Sequence, residues 1–276
     1  MAEITAAKVM ALRQRTGLPM MDCKKALQET GGDEEAAVSW LRKQGIKTQE
    51  TRIGRETAAG RIAVYADMTK GVAAMVELQC ESAPVASSAE FVQLANDMAK
   101  QLATGPGAKT PEELLKQPSP SKPGHTLGEV KDDMFNRIRE VFNLARIVRI
   151  DSAAGAYAHH TGSPGVLLEV EGGTPESAKD IAMHIAAQRP AALSKEDLDA
   201  SLVDKEREIL TEAARKEGKP ENILAKMVEG RMKNFYADKV LSEQPFVKDD
   251  KKTVGTVAKE AGMKMKRYVL WELAKV

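Results

Sequence analysis

Cysteine is nearly missing from this chain. There are two in 276 residues, Cys23 and Cys80, far apart and each inside an apolar-rich segment. That pattern argues against a disulfide framework and for buried, reduced thiols. Aromatic residues, at 4%, are too few for a β-sandwich or barrel, whose strands draw on aromatic and β-branched side chains. An excess of one charge is also lacking: 41 basic and 40 acidic side chains leave a net charge of +1. The chain as a whole therefore has no electrostatic preference for nucleic acid or for an anionic membrane surface. Nowhere do about 18 apolar residues run together, so nothing is expected to span a bilayer. The first thirty residues carry Glu3, Asp22 and Glu29 and do not resemble a secretory signal. A cytoplasmic protein is expected. No glycine-rich phosphate loop ending in Lys-Ser/Thr is present, so direct nucleotide binding is not expected. The four histidines and two cysteines show no metal-ligand spacing, so neither a metal, a cofactor nor an enzyme is expected.

What the chain does contain is an ordinary globular mix, 42% hydrophobic and 29% charged, rich in Met, Ala and Leu, which favour helices. Thr5 is placed to cap a first helix, with Ile4, Ala7, Met10 and Ala11 on one face, and Gly17 to close it. A second helix is predicted from Met20 to Glu29. Asp33 then caps a third, with Glu34 and Glu35 in its first turn and Val38, Trp40 and Leu41 on its apolar side. Helices this short hold together only by packing on one another. The stretch from Lys43 to Gly60 reads as a linker.

Beyond it the period changes from helical to alternating. Ile62 and Val64 begin one strand, Lys70-Gly71 turns the chain, and Val72, Ala74, Val76, Leu78 and Cys80 alternate along a second. Ser87 and Glu90 have capping-box spacing before a helix with Phe91, Leu94, Ala95, Met98 and Leu102. Residues 104 to 125, apart from one helical turn at Glu112 to Lys116, read as an exposed connection tolerant of insertion. Strands are predicted at Ile147–Ile150, Ala156–His159 and Val166–Glu171. A helix from Glu176 to Gln188, ended by Pro190, follows them. Leu198 to Ala237 reads as an antiparallel helical hairpin about Gly218-Lys219-Pro220. Its seam draws on Leu202, Ile209 and Ala213 on one side and Leu224, Met227, Val228 and Phe235 on the other. A helix near Thr253–Ala261 and a strand over Met265–Leu273 end the pattern.

RTGLPMMDCKKAL at 15–27, GGDEEAAVSWLRKQG at 31–45, DIAMHIAAQRP at 180–190, KMVEGRMKNFY at 226–236 and SEQPFV at 242–247 together resemble the bacterial elongation factor Ts family, in order along the chain. The resemblance implies an α+β protein with an N-terminal ubiquitin-associated-like three-helix docking domain at 1–50 and a linker at 51–60. A core N-subdomain at 61–140 and a core C-subdomain at 141–276 would follow, both with antiparallel sheets, with a coiled-coil hairpin at about 198–240 in the second. It implies a guanine-nucleotide exchange factor whose partner is elongation factor Tu, reached by protein–protein contact without nucleic acid or membrane; oligomerisation is left open. The family's docking residues match Leu12, Arg13, Met20 and Met21 here. From the residues alone, each of the two methionines could equally fill a small core.

The family's magnesium-dislodging motif, Thr-Asp-Phe-Val, aligns with Ser82, Ala83, Pro84 and Val85. Serine keeps a hydroxyl and Val85 is unchanged, while Ala83 lacks the carboxylate and Pro84 the aromatic wedge. The resemblance therefore implies weakened exchange, or, as an alternative, a non-exchanging binding or scaffold paralogue. Ile138 aligns with the isoleucine of an Ile-Gly pair, but Arg139 stands in place of the glycine. His159 matches a histidine that faces the partner's third domain; the blander reading is a half-buried strand residue. His184 reads as a core residue.

Overall fold

The computed structural model describes residues 4–52, 54–217 and 220–273, arranged as an α+β protein of helices and antiparallel sheets in two compact units. The first comprises the chain up to Ala63, Val76–Ile147 and Leu273; the second comprises Val64–Met75 and Val148–Glu272.

The first unit begins with helices α1 (Ala6–Thr16), α2 (Met20–Glu29) and α3 (Glu34–Glu50). Thr5 Oγ1 accepts the Lys8 amide at 3.4 Å, and Asp33 Oδ1 accepts that of Ala36 at 2.9 Å. Gly17, at φ +70°, closes α1 by donating to the Arg13 carbonyl; this left-handed turn is the glycine's use. Val9, Leu12, Leu18, Cys23, Ala26, Leu27, Ala37 and Leu41 form the core. The buried face of α1 is thus Val9 and Leu12, and not the predicted one: Ala7, Met10 and Ala11 are exposed. Both sets have helical spacing, and burying the branched pair removes more apolar surface from water than burying the alanines.

Strands β1 (Ala59–Asp67) and β2 (Val72–Cys80) follow, turned by Asp67, whose carboxylate accepts from Thr69 Oγ1 at 2.6 Å and the Lys70 amide at 3.1 Å. After β2 come a single turn α4 (Ala83–Ala86), then α5 (Ala89–Thr104), α6 (Pro111–Leu115), α7 (Leu127–Ile138) and β3 (Asn143–Ile150). The three strands hydrogen-bond in the order β1-β2-β3. The cap of α5 is Ser88, which accepts the Phe91 amide, and not Ser87, because α4 occupies the chain up to Ala86; Glu90 pairs instead with Arg137. The connection at 104–125 is also less free than expected. Leu114 is buried, and the buried Asp97 carboxylate of α5 accepts from Ser119 Oγ, Ser121 Oγ and Gln93 Nε2. Nor is the chain a linker from Lys43: α3 continues to Glu50. Gly45 within it leaves room for α7, since a Cβ there would lie 1.8 Å from Asn136 Oδ1.

In the second unit, β4 (Ala154–Ala158) and β5 (Gly165–Gly172) form a hairpin, followed by α8 (Pro175–Gln188), α9 (Ala200–Lys216) and α10 (Glu221–Lys239). Strands β6 (Pro245–Phe246) and β7 (Asp249–Thr253), helix α11 (Val254–Glu260) and strand β8 (Met263–Trp271) complete it. The sheet order is β4-β5-β8, with Tyr157 opposite Val166 and Val166 opposite Leu270. Val166, Leu168, Ile181, Ile185, Phe246 and Val254 share one core. α8 rides directly on β4, because Gly155 leaves no Cβ to meet the Ala178 backbone, 2.4 Å from where one would sit. Helices α9 and α10 run antiparallel: Val203 clusters with Phe235 near one end, and Ala214 with Leu224 near the other. On α9 the seam is Val203, Leu210 and Ala214, one position beyond the predicted register, and Leu202 and Ile209 are exposed. Two adjacent apolar stripes share the seven-residue spacing, and spacing alone does not choose between them. The predicted break at Gly218-Lys219 lies outside the described residues.

His184 is fully buried in α8. Its Nδ1 accepts the Val247 amide at 3.2 Å, so the ring is neutral with its proton on Nε2, which donates to Gln244 Oε1 at 3.0 Å. Burial lowers its pKa below the ordinary 6.5, partly offset by Gln244. The unfolded chain therefore binds the proton more tightly than the fold does. The resulting stability is complete above pH 6.5 and falls as the pH drops below it. Thermal melts between about pH 7.5 and pH 5.5 are expected to show a falling Tm whose slope is flatter in His184→Gln.

Candidate functional site

The four residues aligned with the family motif do not form an open loop. The strand β2 ends at Cys80, whose thiol donates to the Ser82 carbonyl at 3.3 Å. Burial, and after it the nearby Glu140 carboxylate, push that thiol up to about 11, so it is no nucleophile. Ser82 then caps α4. Its carbonyl accepts the Ala86 amide, and the Ala83 carbonyl accepts that of Ser87, both at 3.1 Å. Pro84 falls in the first turn of α4, where a backbone N–H has no helical acceptor, so its missing donor costs nothing there. Ala83 and Pro84 are exposed, and Val85 is half-buried.

The chain that follows α7 holds this turn. Glu140 accepts from the Ser82 amide at 3.0 Å with one carboxylate oxygen and from Ser82 Oγ at 2.6 Å with the other. In return, Glu81 accepts the Val141 amide at 2.8 Å. That amide, and secondarily Arg55 at 3.1 Å, hold the Glu81 carboxyl below its usual value. The serine hydroxyl that replaces threonine is therefore spent inward on Glu140, leaving Ala83, Pro84 and Val85 to face outward or partly so.

Between Ile138 and Glu140 stands Arg139, with φ +66° and ψ 23°. This is the left-handed position that ends α7, its amide donating to the Phe135 carbonyl at 2.7 Å. The backbone conformation is thus one that favours glycine, and an arginine adopts it at a cost of roughly 1–2 kcal/mol. Its side chain finds a partner: Nη2 meets Asp22 Oδ2 of α2 at 2.6 Å, with the two side chains 30% and 40% exposed. Arg52 adds a hydrogen bond to the Arg139 carbonyl.

Asp22 ties this cluster to the N-terminal helices. On the same helix Met20 and Met21 are 44% and 70% exposed, so of the two readings open for them, surface rather than core describes both. Arg13 is exposed on α1. Leu12 is corrected: it is 0% exposed at the centre of the three-helix core and offers no surface to a partner. Ile138 is half-buried. The observed ties join Asp22 of α2 to Arg139 and Ser82 of the turn to Glu140, while Met20 and Met21 precede Asp22 in the sequence and Ile138 precedes Arg139. His159 lies in the second unit, half-buried just past β4, with Nδ1 2.8 Å from Thr161 Oγ1 and its ring 4.2 Å from that of His160.

Sequence reasoning missed Asp22, Glu81 and Glu140, which carry the ties. Glu140 follows the end of α7, a helix the sequence reading also missed; the signal that could have found it is the Thr126–Glu129 capping box, where each residue bonds the other's amide. Among the described residues, no three His, Cys, Asp or Glu side chains gather to hold a metal ion, and no helix is long and apolar enough to cross a membrane. Arg139→Gly removes the left-handed strain and loses a partly exposed ion pair worth about 0.2–1 kcal/mol. Its unfolding free energy is expected to match or exceed the parent's by up to about 1 kcal/mol, whereas Arg139→Val loses at least about 1 kcal/mol. Urea titrations of the three proteins check this.

Comparison with known proteins covers nearly all of the chain. A family model described as Elongation factor TS matches residues 81–275, which include the turn, Glu81 and Glu140 but not Asp22. The Elongation factor Ts of Methylococcus capsulatus is 43% identical over 98% of this chain and 92% of its own length. That of Thioalkalivibrio sulfidiphilus is 40% identical over the same shares. The Paenarthrobacter aurescens protein of that name is 43% identical over 96% of each chain. At this identity and coverage, this chain belongs to the elongation factor Ts family.

Proposed function

We propose that the protein is a guanine-nucleotide exchange factor for elongation factor Tu, acting in the cytosol during translation elongation without chemistry of its own. The observation that carries the reading is the chain's membership of the elongation factor Ts family, and exposed Met20 and Met21 and the turn Ala83–Val85 in the first unit are consistent with it. Within that unit, the three N-terminal helices act as a ubiquitin-associated-like docking domain. Arg13, Met20 and Met21 make the contact; methionine side chains suit a surface that must adapt to its partner. Ile138 flanks the turn, His159 supplies a contact from the second unit, and α9 with α10 serves as a coiled-coil arm.

A nucleotide held through a magnesium ion and a phosphate-cradling loop leaves faster when a binding protein favours the partner conformation in which that ion is displaced. The coupling is reciprocal, so bound nucleotide weakens the exchange factor's grip by the same factor. The turn at 82–85 is the group placed to disturb the site, and here it presents proline and alanine in place of the family's aromatic wedge and carboxylate. A phenylalanine can bury roughly 150–250 Å²; losing most of that is worth about 1–3 kcal/mol, or roughly tenfold to a hundredfold in rate. Docking is retained and displacement of GDP is slower than with the full motif. The same two departures favour a second reading, a binding or scaffold paralogue that occupies the partner without releasing its nucleotide.

Release of a fluorescent GDP from elongation factor Tu, with and without this protein, separates the readings. Acceleration is expected, and Ala83→Asp with Pro84→Phe is expected to increase it by roughly tenfold or more. Complex formation in a pull-down with no acceleration supports the scaffold reading instead. Full acceleration that the double substitution leaves unchanged contradicts a role for the turn.

A further inference from the structure

We propose that Asp22, Arg139 and Glu140 are positioning residues that couple the seat of helix α2 to the posture of the turn Ser82–Val85. The inference rests on the exchange reading for its consequence, and on the bonds alone for the coupling itself. Arg139 and Glu140 are consecutive, yet their side chains go to different elements. Arg139 reaches Asp22 on α2 at 2.6 Å, and Glu140 reaches the Ser82 amide and hydroxyl at 3.0 and 2.6 Å. The left-handed conformation at Arg139 reverses the chain at the end of α7 and separates these directions.

Both flanks of this dipeptide are pinned. The Arg139 carbonyl accepts from Arg52, and the Val141 amide donates to Glu81, the residue immediately before Ser82. Residues 139–141 therefore cannot shift toward α2 without pulling on the turn at two points, the Ser82 bonds to Glu140 and the Glu81 bond to Val141. Asp22 follows Met20 and Met21 directly in α2, so a load on those methionines enters the chain of bonds at its first member. The strain of an arginine at a position suited to glycine fits this role: a glycine there would form the turn more readily but would leave α2 unconnected to it.

Coupling on this route predicts that changes on α2 reach the turn. Site-resolved amide hydrogen exchange on the full chain reads it directly. Glu140→Gln is expected to speed exchange at the Ser82 amide about tenfold, because it weakens a charge-assisted bond. Asp22→Ala, on the other helix, is expected to speed it about two- to fivefold, the range of a partly exposed ion pair. Arg139→Gly breaks the same pair from a position glycine suits, so it preserves folding and is expected to act in the same direction. The reversed pair, Asp22→Arg with Arg139→Asp, is expected to recover at least half of the loss. Exchange at Ser82 that is unaffected by both Asp22→Ala and Arg139→Gly overturns the coupling.

The same variants in fluorescent GDP release are expected to show a maximal rate about two- to fivefold lower with a half-saturating concentration changed less than twofold; a purely structural loss would move neither selectively. If the parent protein accelerates release and Asp22→Ala leaves its maximal rate unchanged, the positioning role fails. If the parent does not accelerate release at all, it is the exchange reading that fails, and hydrogen exchange at Ser82 still decides the coupling.

Discussion

A carboxylate at the end of a helix governs how the first unit presents its surface. Glu140 takes both hydrogen-bond donors of Ser82, and Glu81 takes the amide of Val141, so two short segments distant in sequence are locked face to face by charge-assisted bonds. Such bonds are roughly twice as strong as neutral ones, and here each leaves a backbone amide satisfied. These bonds fix the start of the four-residue helix α4, which one turn of backbone bonds does not sustain alone; the buried Ala86 and the Ser88 hydroxyl on the Val85 carbonyl anchor its other end. The left-handed arginine just before Glu140 sets the direction of that carboxylate and spends its own side chain on α2.

This arrangement explains how the unit tolerates its unusual motif. Proline in place of an aromatic residue would disrupt a loop that relied on that residue's amide. In the first turn of α4 no such bond exists to lose. The turn's shape is therefore set by Ser82 and Glu140, and the outward positions 83 and 84 are free to change the strength of a contact without changing the scaffold. On the exchange reading, Met20 and Met21 of α2 supply affinity and the turn supplies displacement, with Asp22 linking the two.

Much of this was legible in the chain. The strand at Val72–Cys80, the caps at Thr5 and Asp33, the glycine at position 17 and the helix from Glu176 follow from local chemistry, and the structure has each of them, although β2 is buried on both faces from Ala73 to Leu78 where alternation predicted one. The departures arise where local chemistry offers two answers. Val9 with Leu12, and Ala7 with Met10 and Ala11, are both helical faces of α1; only packing among the three helices buries the first. Val203 with Leu210, and Leu202 with Ile209, differ by one residue, and facing α10 decides between them. At the site, the sequence shows only that Arg139 stands in place of a glycine; that it adopts a left-handed conformation, φ +66°, emerges from the fold. Asp22, Glu81 and Glu140 carry no sequence signature, because their bonds join residues about 60 to 117 positions apart, and surface acids in a balanced composition give no hint of which are spent on tethers.

On the proposed reading, Met20 and Met21 and the turn Ser82–Val85, all in the first unit, meet the nucleotide-binding domain of elongation factor Tu. A structure of the complex tests it most directly. The account predicts that Met20 and Met21 are covered by that domain, with Pro84 and Val85 against the segments that hold magnesium and phosphate, and with the Ser82–Glu140 bonds intact. A complex in which this face stays open to solvent, or in which the partner binds only the second unit, would contradict it.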